Sequence, residues 1–206
     1  MSECGSLYVI SAPSGTGKTT LVKTLVDSLP NITVSISHTT RPRRPAEVHG
    51  VNYYFITETE FNQMITHDDF LEHASVFNNQ YGTSRAWVED TLRRGIDVIL
   101  EIDWQGAQQI QRLLPSCISI FILPPSLEAL SQRLMQRNQD KPEIIHKRLA
   151  DAQETISHVS EYDYVVLNDD FDTALRDLKT IVLAQRLVQQ RQIKKLASLL
   201  AELETH

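Results

Sequence analysis

The chain has 206 residues, of which 41% are hydrophobic and 22% charged, values that exclude a mostly disordered protein and allow a sizeable core without disulfides or metals. Against 26 Asp+Glu there are 20 Lys+Arg, and the formal charge of −6 excludes a general electrostatic pull toward nucleic acid or anionic membrane. The apolar runs are too short to span a bilayer, the N-terminus does not read as a signal peptide, and two cysteines, Cys4 and Cys117, fit a reducing cytoplasm better than a disulfide framework.

In chain order, Leu7 to Ser11 reads as a buried strand, followed by a Gly-rich turn and a helix over Lys18 to Ser28. Ile32 to Ser37 predicts a second strand, and Thr39 to Pro45 a Pro/Arg-rich loop. Tyr53 to Ile56 and Glu72 to Phe77 predict short strands, with a helix near Glu60 to Ile65 between them. Arg85 to Arg94 suits a helix that ends at Gly95. Val98 to Ile102 and Ile118 to Leu123 are apolar strands separated by a helix near Ala107 to Leu114. Beyond Pro124-Pro125, Leu127 to Arg137 and Ile144 to His158 read as helices on either side of a polar turn. Tyr164 to Leu167 is a last strand, and a single long helix from Thr173 to Leu200 is expected to close the chain. Apolar strands alternating with helices predict a mainly parallel α/β sheet covered on both faces. The polar, aromatic stretch from 35 to 94 breaks that rhythm and reads as an inserted subdomain.

Chemistry concentrates first in the run Ala12, Pro13, Ser14, Gly15, Thr16, Gly17, Lys18, Thr19, set between a strand and a helix. It fits the phosphate-loop spacing G-x-x-x-x-G-K-[ST], with Ala12 in the place of the first glycine. Gly15 and Gly17 let backbone N–H groups turn inward around phosphate oxygens, and the helix adds its positive end. Lys18 suits the β- and γ-phosphates of a nucleoside triphosphate, and the Thr19 hydroxyl suits the shell of Mg²⁺.

A second basic element follows. Arg41, Arg43 and Arg44 fall within four positions, stiffened by Pro42 and Pro45, in an otherwise acidic chain. Guanidinium groups held forward by a stiff loop make a candidate second phosphate cradle, and a solvated basic loop is the plainer alternative.

Phosphate loop, S-H-T-T-R-P-R-R-x-x-E, Y-Y-F, F-L-E, Y-G-T and E-I-D-W-Q-G-A, in this order, resemble guanylate kinase of the bacterial type, from about Leu7 to past Asn168. The resemblance implies a P-loop nucleoside-monophosphate kinase fold. A core of 1–34, 95–130 and 155–206 would carry a GMP-binding subdomain at 35–94 and a helical lid at 131–154. It implies transfer of the ATP γ-phosphoryl group to GMP or dGMP with Mg²⁺, small-molecule partners without nucleic acid or membrane, and a monomer or homo-oligomer.

Residue by residue, the resemblance assigns ATP contacts to Ala12 through Thr20, with Arg133, Arg137 and Asn168. It assigns the GMP phosphate to Arg41, Arg44, Tyr53, Tyr81 and Ser37, the guanine to Glu72 and Thr83 with Ser37 near the base, and further GMP contacts to Glu47, Gly82, Glu101 and Asp103. Catalytic charge falls to Lys18, Arg41, Arg137 and Arg148. Guanine presents N1–H and an amino group side by side, so one ionised carboxylate, Glu72, can accept both, whereas adenine offers neither donor at that edge. Asp103 is preferred for ordering water on Mg²⁺ and Glu101 for the GMP side, although alternating positions on one strand face can serve either site. Arg133 and Arg137 lie one helical turn apart, and such a stripe can equally be a solvated surface. Asn168 matches a position near adenine, or is a strand-end turn residue. Asn138 and Lys141-Pro142 depart from the family pattern in the lid turn.

Two other readings stand beside this one. A guanylate-kinase-like interaction module without catalysis would lose Lys18 or the lid arginines, and a sugar-phosphate kinase would have no use for Glu72 and Thr83. The acceptor is already an anionic phosphate with a second pKa near ~6, so no nucleophilic side chain and no general base is expected. The seven histidines form no metal-ligand pattern.

Overall fold

The structure, a computed structural model, describes residues 4–76, 78–136 and 142–204, with the side chains of 136 and 142–147 outside the description. Five parallel strands form the main sheet: β1 (Leu7–Ser11), β2 (Ile32–Val34), β7 (Asp97–Glu101), β8 (Ile118–Leu123) and β9 (Tyr164–Leu167), in the order β2-β7-β1-β8-β9. All of β1 is buried, as a continuous apolar run requires in a sheet covered on both faces. Alternate residues divide between two cores. Tyr8 and Ile10 pack with Leu21, Val22 and Leu25 of α1 (Lys18–Ser28) and with Leu175, Leu178 and Val182 of α7 (Phe171–Arg186). Leu7 and Val9 face the other way, onto Val88 of α3 (Arg85–Arg93) and Ala107 and Ile110 of α4 (Trp104–Leu113).

Between β2 and β7 the chain builds a second sheet, β4-β3-β6-β5, from β3 (His38–Thr39), β4 (Tyr54–Phe55), β5 (Phe70–Val76) and β6 (Asn79–Ser84), with α2 (Glu58–Thr66) beside it. β3 and β4 are parallel, whereas β3/β6 and β5/β6 are antiparallel. Neither β3 nor β6 is anticipated from sequence, because Asn79-Gln-Tyr-Gly-Thr-Ser84 carries no apolar alternation and gains strand geometry by pairing on both sides. β2 is shorter than expected. Ser35 N–H still bonds Ile99 O at 2.9 Å, and the chain then leaves the main sheet for the second one. Beyond β8, α5 (Leu127–Gln136) and α6 (Pro142–Ser157) pack through Leu130, Leu134 and Ala152, and a 3₁₀ turn (Val159–Glu161) leads into β9.

The expected single C-terminal helix is instead three: α7, α8 (Gln189–Lys195) and α9 (Ala197–Glu204). Val188, with φ −59° and ψ 141°, interrupts it. The cause lies in the core. Asp97, 1% exposed, accepts hydrogen bonds from Ser6 N–H (2.7 Å), Arg186 Nε (2.8 Å) and Arg191 Nη1 (3.1 Å). On an unbroken helix, residues five apart point about 140° from each other, so both guanidinium groups reach one carboxylate only because the helix turns. Among the described residues no helix is long and apolar enough to cross a membrane.

Candidate functional site

The loop after β1 folds as its glycines predict. Gly15 (φ 92°) and Gly17 (φ 98°) occupy the left-handed region, and Gly17 opens α1 without a side-chain cap, leaving first-turn N–H groups free of side-chain claims. Pro13 and Thr16 are buried, Ser14, Thr19 and Thr20 are exposed, and Ala12 packs against the core. The loop is braced from behind. Thr16 O accepts Asn168 Nδ2 at 2.6 Å and Arg133 Nη1 at 3.3 Å, and Arg133 also donates to Asn168 O at 3.2 Å. Asn168 is therefore a buried clamp on the loop, and Leu130 and Leu134, one turn apart on α5, are buried close against Gly15.

At the C-terminal end of β7, Glu101 Oε2 accepts the Thr19 hydroxyl at 3.0 Å and stands 3.6 Å from Lys18 Nζ. Asp103 is the N-cap of α4, its Oδ1 accepting Gly106 N–H at 3.0 Å. Burial pushes its carboxyl up, opposed by that N–H and by the nearby Lys18 charge.

The arginine loop is ordered by an internal carboxylate. Glu47 accepts Arg41 Nη2 at 2.6 Å and, through its other oxygen, Arg44 N–H at 2.8 Å, and the bond from Arg41 holds the Glu47 carboxyl below its ordinary pKa. The Arg41 guanidinium lies over Tyr53 and Phe55, 5.4 and 5.7 Å from their ring centres. Tyr81 packs edge-on to Tyr53 at 5.9 Å, whereas the Arg44 side chain projects into solvent. Ser37 is half-buried, and its carbonyl accepts Tyr54 N–H at 2.9 Å. Gly82 lets the Phe70 ring lie against the backbone, where a Cβ would come within 2.8 Å.

Glu72 is the least ordinary residue of the site. It is 3% exposed, accepts the Thr83 hydroxyl at 2.5 Å, and among the described residues no cationic side chain pairs with it. Burial and the Asp103 carboxylate push its pKa up to about 7, with the Thr83 bond acting against them. The register slips between Phe70 and Glu72, placing a bulge at Leu71. The bulge explains why Phe70, Leu71 and Glu72 are all buried: a regular strand would expose one face.

The expected residues thus form two clusters that meet at the end of β7, since Asp103 senses both Lys18 and Glu72. Arg148 is half-buried on α6, and Arg137 lies outside the described residues. Two neighbours of Glu72 escape sequence reading. Gly106 has a signal, a glycine inside an amphipathic helix, whereas Gln109 has none, because its contact with His73 spans 36 residues.

Comparison with known proteins accounts for this arrangement. The family model "Guanylate kinase" matches residues 5–185. The chain is 55% identical over 203 residues to the guanylate kinase of Saccharophagus degradans, covering 98% of this chain and 99% of that one. It is 58% identical over 199 residues to that of Pseudomonas fluorescens, covering 97% of each. The crystal structure of guanylate kinase from Anaplasma phagocytophilum superposes with a TM-score of 0.76 at 35% identity, covering 92% of this chain and 90% of that one. With likeness running end to end in sequence and through the fold, the chain belongs to the guanylate kinase family, enzymes that transfer the γ-phosphoryl group of ATP to GMP.

Proposed function

We propose that the two clusters divide the substrates, with ATP on the loop 12–20 side and GMP on the side of Arg41, Tyr53, Tyr81, Glu72 and Thr83. The observation that carries this reading is the Glu72 carboxylate, buried beside the Thr83 hydroxyl with no cationic partner among the described residues. A carboxylate in such a place is costly unless a ligand brings donors, and guanine brings two on one edge. Adenine would leave it unpaired, which is a strong ground for rejection.

In this reading Lys18 holds the β- and γ-phosphates, and Arg41, aimed by Glu47 and flanked by Tyr53, holds the GMP phosphate with Arg44 and Ser37. Arg148 and Arg137 supply positive charge from the lid, and Arg133 and Asn168 keep the loop in shape. The acceptor oxygen is already anionic, so transfer needs alignment and charge neutralisation only. Thr19, a hydroxyl at the first turn of α1 beside Glu101, and Asp103 are hard oxygen donors that suit Mg²⁺. Bound with ATP, that ion would add neutralising charge at the phosphates. Segments 35–94 and 131–154 act as the closing parts on the core of 1–34, 95–130 and 155–206, and the free thiols Cys4 and Cys117 favour the cytoplasm.

A coupled assay comparing GMP, dGMP, AMP and a sugar phosphate as acceptors tests the assignment. GMP and dGMP should turn over well and the others poorly. Comparable rates with AMP would remove Glu72 from the base site.

A further inference from the structure

The direction of Glu72 depends on backbone that is held from outside its own sheet. β5 is an edge strand, so the outward N–H and C=O of its residues have no strand beside them. At His73, next to Glu72, a side chain takes that place. Gln109 Nε2 donates to His73 O at 2.8 Å, and Gln109 Oε1 accepts His73 N–H at 3.2 Å. One amide thereby makes both bonds that a neighbouring strand would make.

Gly106 lies one turn earlier on the same face of α4. A Cβ at this position would stand 2.6 Å from Glu72 Oε2, so the missing side chain leaves the carboxylate its space. Leu71, at the bulge, is buried in the same core cluster as Ala107 and Ile110. Three consecutive residues of β5 are thus fixed by one helix: Leu71 by packing, Glu72 by clearance and His73 by hydrogen bonds. That helix starts at Asp103, immediately after the strand whose end faces Lys18.

We propose that Gln109 and Gly106 are positioning residues for guanine selection, setting through α4 where the Glu72 carboxylate stands and hence how well the acceptor site separates GMP from AMP. The proposal rests on the assignment of Glu72 to the guanine edge. Neither residue brings a charge to the phosphates, and the Gly106 N–H that caps Asp103 is kept in an alanine variant, so the effect is expected at the acceptor base.

The test is steady-state kinetics on Gln109→Met, Gln109→Glu, Gly106→Ala and Glu72→Gln, each first confirmed as folded by thermal melting. Met keeps the length and helix propensity of Gln and removes both bonds, and Ala at 106 improves helix propensity while crowding Glu72. Both should raise KM for GMP and lower the GMP-over-AMP efficiency ratio, each by roughly tenfold, with KM for ATP within about twofold. Gln109→Glu keeps the acceptor but sets a carboxylate against His73 O, and should do at least as much harm as Met. If Glu72→Gln erodes selectivity while Gln109→Met and Gly106→Ala leave both GMP quantities at wild-type values, the positioning role is overturned and the Glu72 assignment stands. If Glu72→Gln itself leaves selectivity intact, that assignment falls and takes the positioning role with it. Parallel rises in KM for ATP and GMP would show a general structural effect and also overturn the proposal.

Discussion

Lys18 and Glu101 face each other across 3.6 Å, so the loop lysine is drawn toward the end of β7. On the proposed assignment, triphosphate oxygens would compete with that carboxylate for the ammonium. Lys18→Ala should lower turnover on the order of a hundredfold or more while leaving GMP affinity unchanged. Initial rates beside calorimetric GMP titration check this, and a matching loss of GMP affinity would put Lys18 in the acceptor site.

Arg41→Ala should weaken GMP far more than ATP. A charge-assisted phosphate contact is worth ~1.5–3 kcal/mol, or roughly ten- to hundredfold in affinity. Glu47→Gln should act in the same direction but less, because it loosens the aim of Arg41 without removing its charge. Guanosine, with no phosphate, should bind both variants like wild type. Competition titrations with guanosine, GMP and ATP separate these cases.

Glu72 gives the site a pH dependence of definite sign. Its pKa is raised from 4.5 to about 7, and only the ionised form accepts both guanine donors. Guanosine affinity should therefore fall about tenfold from pH 8 to pH 6, and guanosine avoids the titration of the GMP phosphate itself. Stability runs the other way. The folded chain keeps a proton that the unfolded chain releases between pH 4.5 and about 7, so this group's contribution declines as pH rises through that window. Glu72→Gln should accordingly melt several degrees higher than wild type at pH 8 while losing guanine selectivity. A variant that melts no higher and keeps its selectivity would contradict both halves.

Asp97→Ala should unfold at lower denaturant, with a loss of about 3–5 kcal/mol, because two guanidinium groups and the Ser6 N–H lose a buried partner. Asp97 sits at the opposite end of β7 from Glu101, so turnover well below the melting point should stay near wild type. Urea titration together with low-temperature rates distinguishes this from a site residue.

Where backbone chemistry is local, the sequence is a good guide. β1, α1, β8 and β9 lie where their apolar runs and terminators put them, and the glycines of the phosphate loop adopt the conformation that their spacing demands. Glu72 lies on a strand and Lys18 at the first position of a helix, as expected. Long-range partners were not legible. Nothing in Asn79–Ser84 announces a strand, because its neighbours β3 and β5 supply the order. Nothing at Leu187 or Val188 announces a break, because Asp97, about ninety positions earlier, requires it. Asn168 is read near adenine or as a turn residue, and its bond to the loop crosses 152 positions.

That last bond has a consequence for synthesis. Thr16 is made well before Arg133 and Asn168, yet Thr16 O is held by both of them. A nascent chain thus carries the complete loop sequence through 152 further positions before Asn168 exists to brace it. On the proposed assignment of this loop to ATP, chains stalled before Asn168 should bind ATP more weakly than the full chain.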